Sequence, residues 1–141
     1  MKSYRQVYSA KTIAEAVAEA TEALSVLGDE MREWADSLVE NFSHTEKYEV
    51  VSETASELED VDDIDVPAEV KDVEVKFYTA EPKNKKRAPS RAIRRDNAVA
   101  GLEAVIEAME DDEREAVEDF RGEVEELRDK VQDLDFPSMY G

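Results

Sequence analysis

The sequence predicts a mainly α-helical fold: a four-helix bundle of two hairpins, with one long N-terminal helix and a small two-stranded β-ribbon. Two observations support the helices. Apolar residues recur at spacings of three and four in four segments, and capping signals or prolines separate these segments. A third observation supports the ribbon, since two short segments alternate with a period of two. A chain of 141 residues is expected to form one domain, residues 1–141.

The first helix is predicted over residues 12–42, and it organises the fold because the other segments must cover its long apolar stripe. Thr12 is the candidate cap, and no proline interrupts the segment. Gly28 is expected on the side away from the stripe, where it would mark a bend. The stripe has nine apolar members: Ile13, Val17, Ala20, Leu24, Leu27, Met31, Trp34, Leu38 and Phe42.

A second helix is predicted over residues 44–61, because Ser43 and Glu46 have the spacing of a capping box. An acidic run opposes the helix dipole at its end, and Pro67 stops the helix there. The residues expected to face inward are Tyr48, Val51, Ala55 and Leu58.

Residues 71–78 alternate β-branched or aromatic residues with polar ones, which is typical of a strand. The most economical partner is the alternating segment 3–9, in an antiparallel ribbon. The alternative is that this strand pairs with the edge of another molecule.

Two more helices complete the predicted bundle. Ser90 is the predicted cap of the third helix, which runs to Glu110. Asp112, with Glu115 three residues later, signals the start of a fourth helix that runs to Leu134. The inward residues are Ile93, Ala98, Leu102, Val105, Ile106 and Met109 in the third helix, and Val117, Phe120, Val124, Leu127, Val131 and Leu134 in the fourth.

The composition is strongly acidic, with 37 acidic and 18 basic residues and a net charge of −19. Many acids combined with small apolar residues are typical of proteins from salt-loving organisms, although acidic helical proteins of ordinary organisms share this pattern. The absence of cysteine excludes disulfides and thiolate metal sites. No apolar run has the length of a signal peptide core or a membrane span, so no membrane partner is expected.

The basic residues concentrate in residues 83–95, which contain seven of them and no acid. Residues 79–90 are expected to form a basic loop before the third helix. This stretch could contact nucleic-acid phosphates, neutralise acidic faces of its own or a neighbouring chain, or be a solvated loop. It has no interleaved aromatic residues for base stacking. The candidate binding residues here are Lys83, Lys85, Lys86, Arg87, Arg91, Arg94 and Arg95.

No catalytic, cofactor-binding or metal-binding residue is predicted. The acidic pairs Glu30/Glu33 and Glu57/Asp60 resemble those of the all-α nucleotide pyrophosphohydrolases, the MazG-like family. That resemblance implies these four acids as Mg²⁺ ligands. Glutamate is so frequent in this chain that such pairs are expected from composition alone.

Residues 135–141 form a predicted extended tail with three large apolar side chains, Phe136, Met139 and Tyr140, which either pack back or dock on a partner. Together with residues 29–38, 46–51 and 89–95, this terminus is similar to small acidic helical proteins encoded by prokaryotic viruses. Together with the lack of a signal-peptide core, the resemblance predicts a location in the host cytoplasm or the virion, without secretion by a signal peptide.

The sequence therefore favours a non-enzymatic protein that binds another protein in a virus-associated assembly. An alternative is an inhibitor whose dense carboxylates imitate a nucleic-acid backbone and occupy the basic groove of a host DNA-binding or defence protein. Nucleic-acid contact through residues 83–95 and MazG-like hydrolysis are lesser alternatives. The sequence also leaves a homo-oligomer open.

Overall fold

The computed structural model describes residues 4–42, 45–84 and 86–137, with the backbone alone for residues 40–42. Within these ranges, four helices and two strands follow one another, and the strands form one antiparallel sheet. The mainly α-helical class with a small ribbon is therefore confirmed. In chain order the elements are β1 (Tyr4–Thr12), α1 (Ile13–Phe42), α2 (Glu46–Glu59), β2 (Glu74–Pro82), α3 (Arg91–Ala108) and α4 (Glu115–Gln132).

Thr12 caps helix α1, as predicted, and the cap is reciprocal. The Glu15 backbone N–H donates to Thr12 Oγ1 at 3.1 Å, and the Thr12 backbone N–H donates to the Glu15 carboxylate at 3.0 Å. Of the nine stripe residues, Trp34 and Leu38 are half-buried and the side chain of Phe42 lies outside the described part. The other six are buried in the core: Ile13, Val17, Ala20, Leu24, Leu27 and Met31.

Gly28 lies in a buried contact between α1 and α2, so its expected position away from the packed face was wrong. A Cβ atom built on Gly28 would lie 3.1 Å from Leu58 Cβ, closer than ordinary van der Waals contact. The missing side chain therefore allows the two helices to approach each other closely.

Gly28→Val is expected to lower the free energy of unfolding by about 1–2 kcal/mol, because a branched side chain would push Leu58 and α2 away from α1. Thermal and denaturant unfolding followed by circular dichroism would measure the change. The control is Gly122→Val in α4, where a Cβ meets no atom within 4 Å. Equal losses at the two glycines would contradict a packing role for Gly28.

The predicted cap of α2 was wrong by two residues. Thr45 caps this helix, since its hydroxyl accepts the Tyr48 backbone N–H at 3.2 Å. Ser43 and His44 lie outside the described residues. The stripe prediction is confirmed, because Val51, Ala55 and Leu58 are buried and Tyr48 is half-buried against the core.

Strands β1 and β2 form the predicted antiparallel ribbon, in a register that pairs Tyr8 with Tyr78. The second strand lies later in the chain than expected. The backbone N–H groups of Val70 and Lys71 donate to the Pro67 carbonyl in a turn, and β2 then continues to Pro82, opposite Tyr4. Residues 79–82 therefore belong to the strand and not to the predicted basic loop, because β1 is long enough to pair with them.

Helix α3 starts as predicted, with Ser90 Oγ accepting the Ile93 backbone N–H at 3.3 Å. Helix α4 does not start from Asp112. Arg114 is its N-cap and makes no side-chain capping bond, while Asp112 accepts the Arg114 backbone N–H and guanidinium. Hydrogen bonds from Arg114 lower the pKa of Asp112 to about 2. The predicted inward residues of α3 and α4 are buried, except that Leu134 is half-buried beyond the end of α4.

Helix α1 contacts both α2 and α3, and α4 packs mainly on α3. The sheet lies on α3 through its inner face, where the Phe77 ring would be 3.5 Å from a Cβ built on Gly101. Opposite this contact, the outer face of the sheet points away from the helices. Among the described residues, no helix combines the length and apolarity needed to cross a bilayer.

Candidate functional site

The outer face of the sheet carries an exposed aromatic pair. Tyr8 and Tyr78 face each other across the two strands with ring centroids 5.0 Å apart and planes tilted by 53°. Tyr8 is 55% exposed and Tyr78 is 57% exposed. Large apolar rings that contribute little to the core of their own chain are typical of a contact surface.

The two edges of the sheet differ. On β2, the Ala80 backbone N–H donates to Asn97 Oδ1 at 2.8 Å, and the Ala80 carbonyl accepts from Asn97 Nδ2 at 2.9 Å. An amide side chain of α3 thus occupies this edge in the way a third strand would. Along the outer edge of β1, no third strand from the described residues pairs with the sheet.

The register shows which backbone groups lie on the free edge of β1. Ala80 directs its N–H and C=O away from β1, and Gln6 is its cross-strand partner. Because successive residues of an antiparallel strand direct these groups to opposite edges, Gln6, Tyr8 and Ala10 direct theirs to the outer side of β1. No hydrogen bond from the described ranges reaches them. We call these backbone groups the β1 edge.

Both basic side chains of β1 are paired within the chain. Arg5 contacts Glu81 at 2.9 Å, and Lys11 contacts Glu19 at 2.6 Å. Charged side chains commonly protect an exposed strand edge from pairing with other strands. Here the two charges are neutralised by their own acids, so they protect the β1 edge poorly.

Two arginines of the predicted basic stretch bind one carboxylate of α1. Arg94 donates to both Glu30 carboxylate oxygens at 2.6 and 2.7 Å, and Arg91 donates to the same group at 3.1 Å. The Arg91 guanidinium also stacks on Trp34, 5.2 Å from the ring centroid. These side chains neutralise an acidic group of their own chain, which was one of the predicted roles.

Arg95 contacts both the end of α4 and the start of the tail. It donates to the carbonyls of Val131 and Leu134 at 3.0 and 2.8 Å, and its guanidinium lies 5.3 Å from the centroid of the Phe136 ring. Thr54 Oγ1 donates to the Asp135 carbonyl at 2.8 Å. Phe136, predicted as a partner contact, therefore packs back on the core. Met139 and Tyr140 lie outside the described residues.

The remaining predicted cations are free within the described part of the chain. Lys83, Lys86 and Arg87 are exposed and make no ion pair with described residues, and Lys85 lies outside them. The loop that carries them returns to β1, because the Ser90 backbone N–H donates to Tyr4 Oη at 3.1 Å. This hydrogen bond, with the charge of Arg87 as a smaller cause, lowers the pKa of Tyr4.

Charge is divided between two parts of the molecule. Residues 4–14 and 74–95 form the sheet, the following loop and the start of α3, and they contain ten of the 18 basic residues but two of the 37 acidic residues. The helices and the other connections contain nearly all the acids. These segments are therefore the basic part of an otherwise acidic chain, although Glu19 and Glu30 of α1 pair with three of their cations, Lys11, Arg91 and Arg94.

The four acids implied by the MazG-like resemblance do not share a site. Glu30 is held by two arginines of α3, whereas Glu57 lies 4.0 Å from Lys130 of α4. Glu33 and Asp60 are exposed. Across the described ranges, acidic side chains nowhere gather in groups of three that could hold a metal ion.

The tyrosine pair and the β1 edge were not among the predicted site residues. The alternation of residues 3–9 and 71–78 indicated two strands, but it did not show whether Tyr8 and Tyr78 lie on the same face of the sheet. The missing information was the register, which alone shows that the two rings meet on the exposed side.

Comparison of the chain with family models, with curated proteins and with solved structures found no match. The similarity to proteins of prokaryotic viruses therefore stays a prediction.

Proposed function

We propose that this chain is a non-enzymatic, virus-associated assembly protein that binds another protein by accepting a β-strand along the β1 edge. The observation that carries the proposal is the contrast between the two sheet edges: Asn97 occupies the edge of β2, while the β1 edge has no partner within the described residues. An unpaired edge is a template for an extended segment of another polypeptide. Virus association is supported by the sequence resemblance.

The shape and chemistry of β1 support this role. Nine residues at about 3.3 Å each give an edge roughly 30 Å long, enough for a full strand to pair. The strand contains no proline, and its two charges are neutralised by Glu81 and Glu19. In this proposal, hairpins α1–α2 and α3–α4 form the bundle that holds the sheet in place.

Ala10→Pro tests the proposal, because it removes one edge N–H without removing a hydrogen bond between β1 and β2. Ala10→Thr is the matched control, since it keeps the N–H and suits a strand. Both variants are expected to give the circular dichroism spectrum of the unmodified chain. In affinity isolation from the native host, the unmodified chain and Ala10→Thr should retain the same partner, and Ala10→Pro should lose it.

Amide hydrogen exchange then identifies the mode of binding. The amides of Gln6, Tyr8 and Ala10 should exchange rapidly in the isolated chain and become protected in the complex. A second copy of the chain as the strand donor would give the same protection, together with a doubled mass in sedimentation. A partner that stays on Ala10→Pro, or edge amides that remain unprotected in the complex, would contradict strand addition.

A further inference from the structure

The outer face of the sheet is a flat surface from which the two tyrosine rings stand out. Every second residue of each strand lies on this face, and the neighbours of the rings along the strands include Ala10 and Ala80. Tyr8 and Tyr78 are each more than half exposed. Planar ligands can therefore reach the rings from solvent.

Cations lie on β2 and just after its end, on both sides of Tyr78 in the chain. Lys76 is on the same face as Tyr78, two residues away, and its contact with Glu74 is an exposed one at 3.7 Å. At the other end of β2, Lys83, Lys86 and Arg87 make no ion pair within the described ranges. From Lys76 on β2 to Lys83, which directly follows the strand, an extended chain covers about 23 Å. A chain of anionic groups along β2 would meet positive charge on both sides of the rings.

We infer that this face binds single-stranded nucleic acid, with bases stacking on Tyr8 and Tyr78 and phosphates contacting Lys76, Lys83, Lys86 and Arg87. An acidic protein could use the cations alone, whereas two adjacent solvent-facing rings add the stacking surface that bases use. Paired bases in a duplex could not stack on the rings, whereas the bases of a single strand can. The sequence alone lacked this argument, because Tyr8 lies far from the basic stretch in the chain and only the register of the strands brings it beside Tyr78.

The acidic body of the protein confines the ligand to the sheet. Nearly all the carboxylates lie outside residues 4–14 and 74–95, and they repel phosphates elsewhere on the surface. Four cations in contact with phosphates give an expected slope of log K against log salt of about −3 for a single strand. Binding should show little sequence preference, since every base has a face that can stack.

This inference is independent of the proposed strand addition. A strand added at the β1 edge lies in the plane of the sheet, whereas bases approach perpendicular to it. Ala10→Pro should therefore leave nucleic-acid binding unchanged, and each proposal can fail without the other.

The first test is fluorescence anisotropy with a labelled thymidine oligonucleotide of about 12 nucleotides, within the length that one small binding face covers. The double variant Tyr8→Ala, Tyr78→Ala should bind at least tenfold more weakly, because stacking on each ring is lost. The matched control is Tyr8→Phe, Tyr78→Phe, which keeps both rings and should bind like the unmodified chain. An abasic strand of the same length should bind as weakly as the alanine variant.

The second test measures the charge contribution. The triple variant Lys83→Ala, Lys86→Ala, Arg87→Ala should have a slope of log K against log salt that is less negative by about 2, since three phosphate contacts are lost. The control removes three positive charges from α4 and its N-cap residue through Arg114→Ala, Arg128→Ala and Lys130→Ala, and α4 contacts neither strand. This control should leave the salt slope nearly unchanged.

Three results would overturn the inference. One is the absence of binding at low salt, and another is equal binding by the alanine and phenylalanine variants. The third is that Tyr8→Ala, Tyr78→Ala abolishes association with a protein partner and leaves oligonucleotide binding unchanged. The last result would assign the face to protein contact.

Discussion

Leu27→Ala is expected to lower the free energy of unfolding by about 2–5 kcal/mol. The Leu27 side chain is 0% exposed and belongs to the stripe of α1 that the other helices cover. Truncation removes buried methyl groups and leaves a cavity that neighbouring side chains fill only in part. A domain of this size typically has about 5–15 kcal/mol of stability in total, so the loss would be a large fraction. Denaturant unfolding followed by circular dichroism measures it.

The preceding residue provides the control. Val26 lies on the same turn of α1 but is 45% exposed, so Val26→Ala is expected to change the stability by no more than about 0.5 kcal/mol. Both substitutions truncate an aliphatic side chain to alanine at adjacent positions of one helix. Equal effects at Val26 and Leu27 would contradict the burial of the stripe, and with it the arrangement of helices around α1.

The periodicity of apolar residues was enough to predict the helices, because burial of one face leaves a regular trace in the sequence. Helix starts were harder. Ser43 and Thr45 both have capping chemistry, and the sequence does not show which of the two hydroxyls accepts a backbone N–H of the first turn; the structure shows that Thr45 does. Asp112 had the spacing of a capping box, but the nearby guanidinium of Arg114 bound its carboxylate. Local patterns do not include this competition between partners.

Gly28 shows why contacts between helices were harder to predict than the helices themselves. The prediction assumed that α1 buries one stripe, whereas α1 packs against α2 and α3. A helix with two neighbours must bury a wider face, and a glycine on that face permits a close approach. A glycine in the middle of a long helix was the available signal, since it has a cost that packing can offset.

The same limit applied to the candidate site. The sequence identified the basic stretch as unusual but could not divide it, because Arg91, Arg94 and Arg95 find their partners far away in the chain. The structure shows that the basic stretch has two parts with different contacts. Helical residues of the stretch are used for internal contacts, while Lys83, Lys86 and Arg87 of the preceding loop make no ion pair with any described residue.

Glu30→Ala is expected to lower the free energy of unfolding by about 2–3 kcal/mol. Two arginines would lose a shared carboxylate, and Arg94 Nε is already buried without a hydrogen-bond partner. Breaking a fully buried pair typically costs about 3–5 kcal/mol, and the value expected here is smaller because 30% of the Glu30 side chain is exposed. Glu33→Ala removes the same charge from an exposed position of α1 and should have little effect. Equal losses at Glu30 and Glu33 would indicate general charge repulsion.

The pH dependence separates the ion pair from simple packing. Hydrogen bonding from Arg94, together with the charges of Arg94 and Arg91, lowers the pKa of Glu30 from its ordinary value of 4.5. A carboxyl group with a lowered pKa stabilises the folded state fully above the ordinary value, and this stabilisation is lost as the pH falls through the folded-state pKa. Glu30→Gln should therefore be less stable than the unmodified chain by a constant amount above about pH 6, and this difference should shrink below pH 4.5. Unfolding curves of both proteins across this range measure the difference directly, because the other carboxylates titrate in both. A difference that stays constant into acid would show that Glu30 acts through its shape and not through its charge.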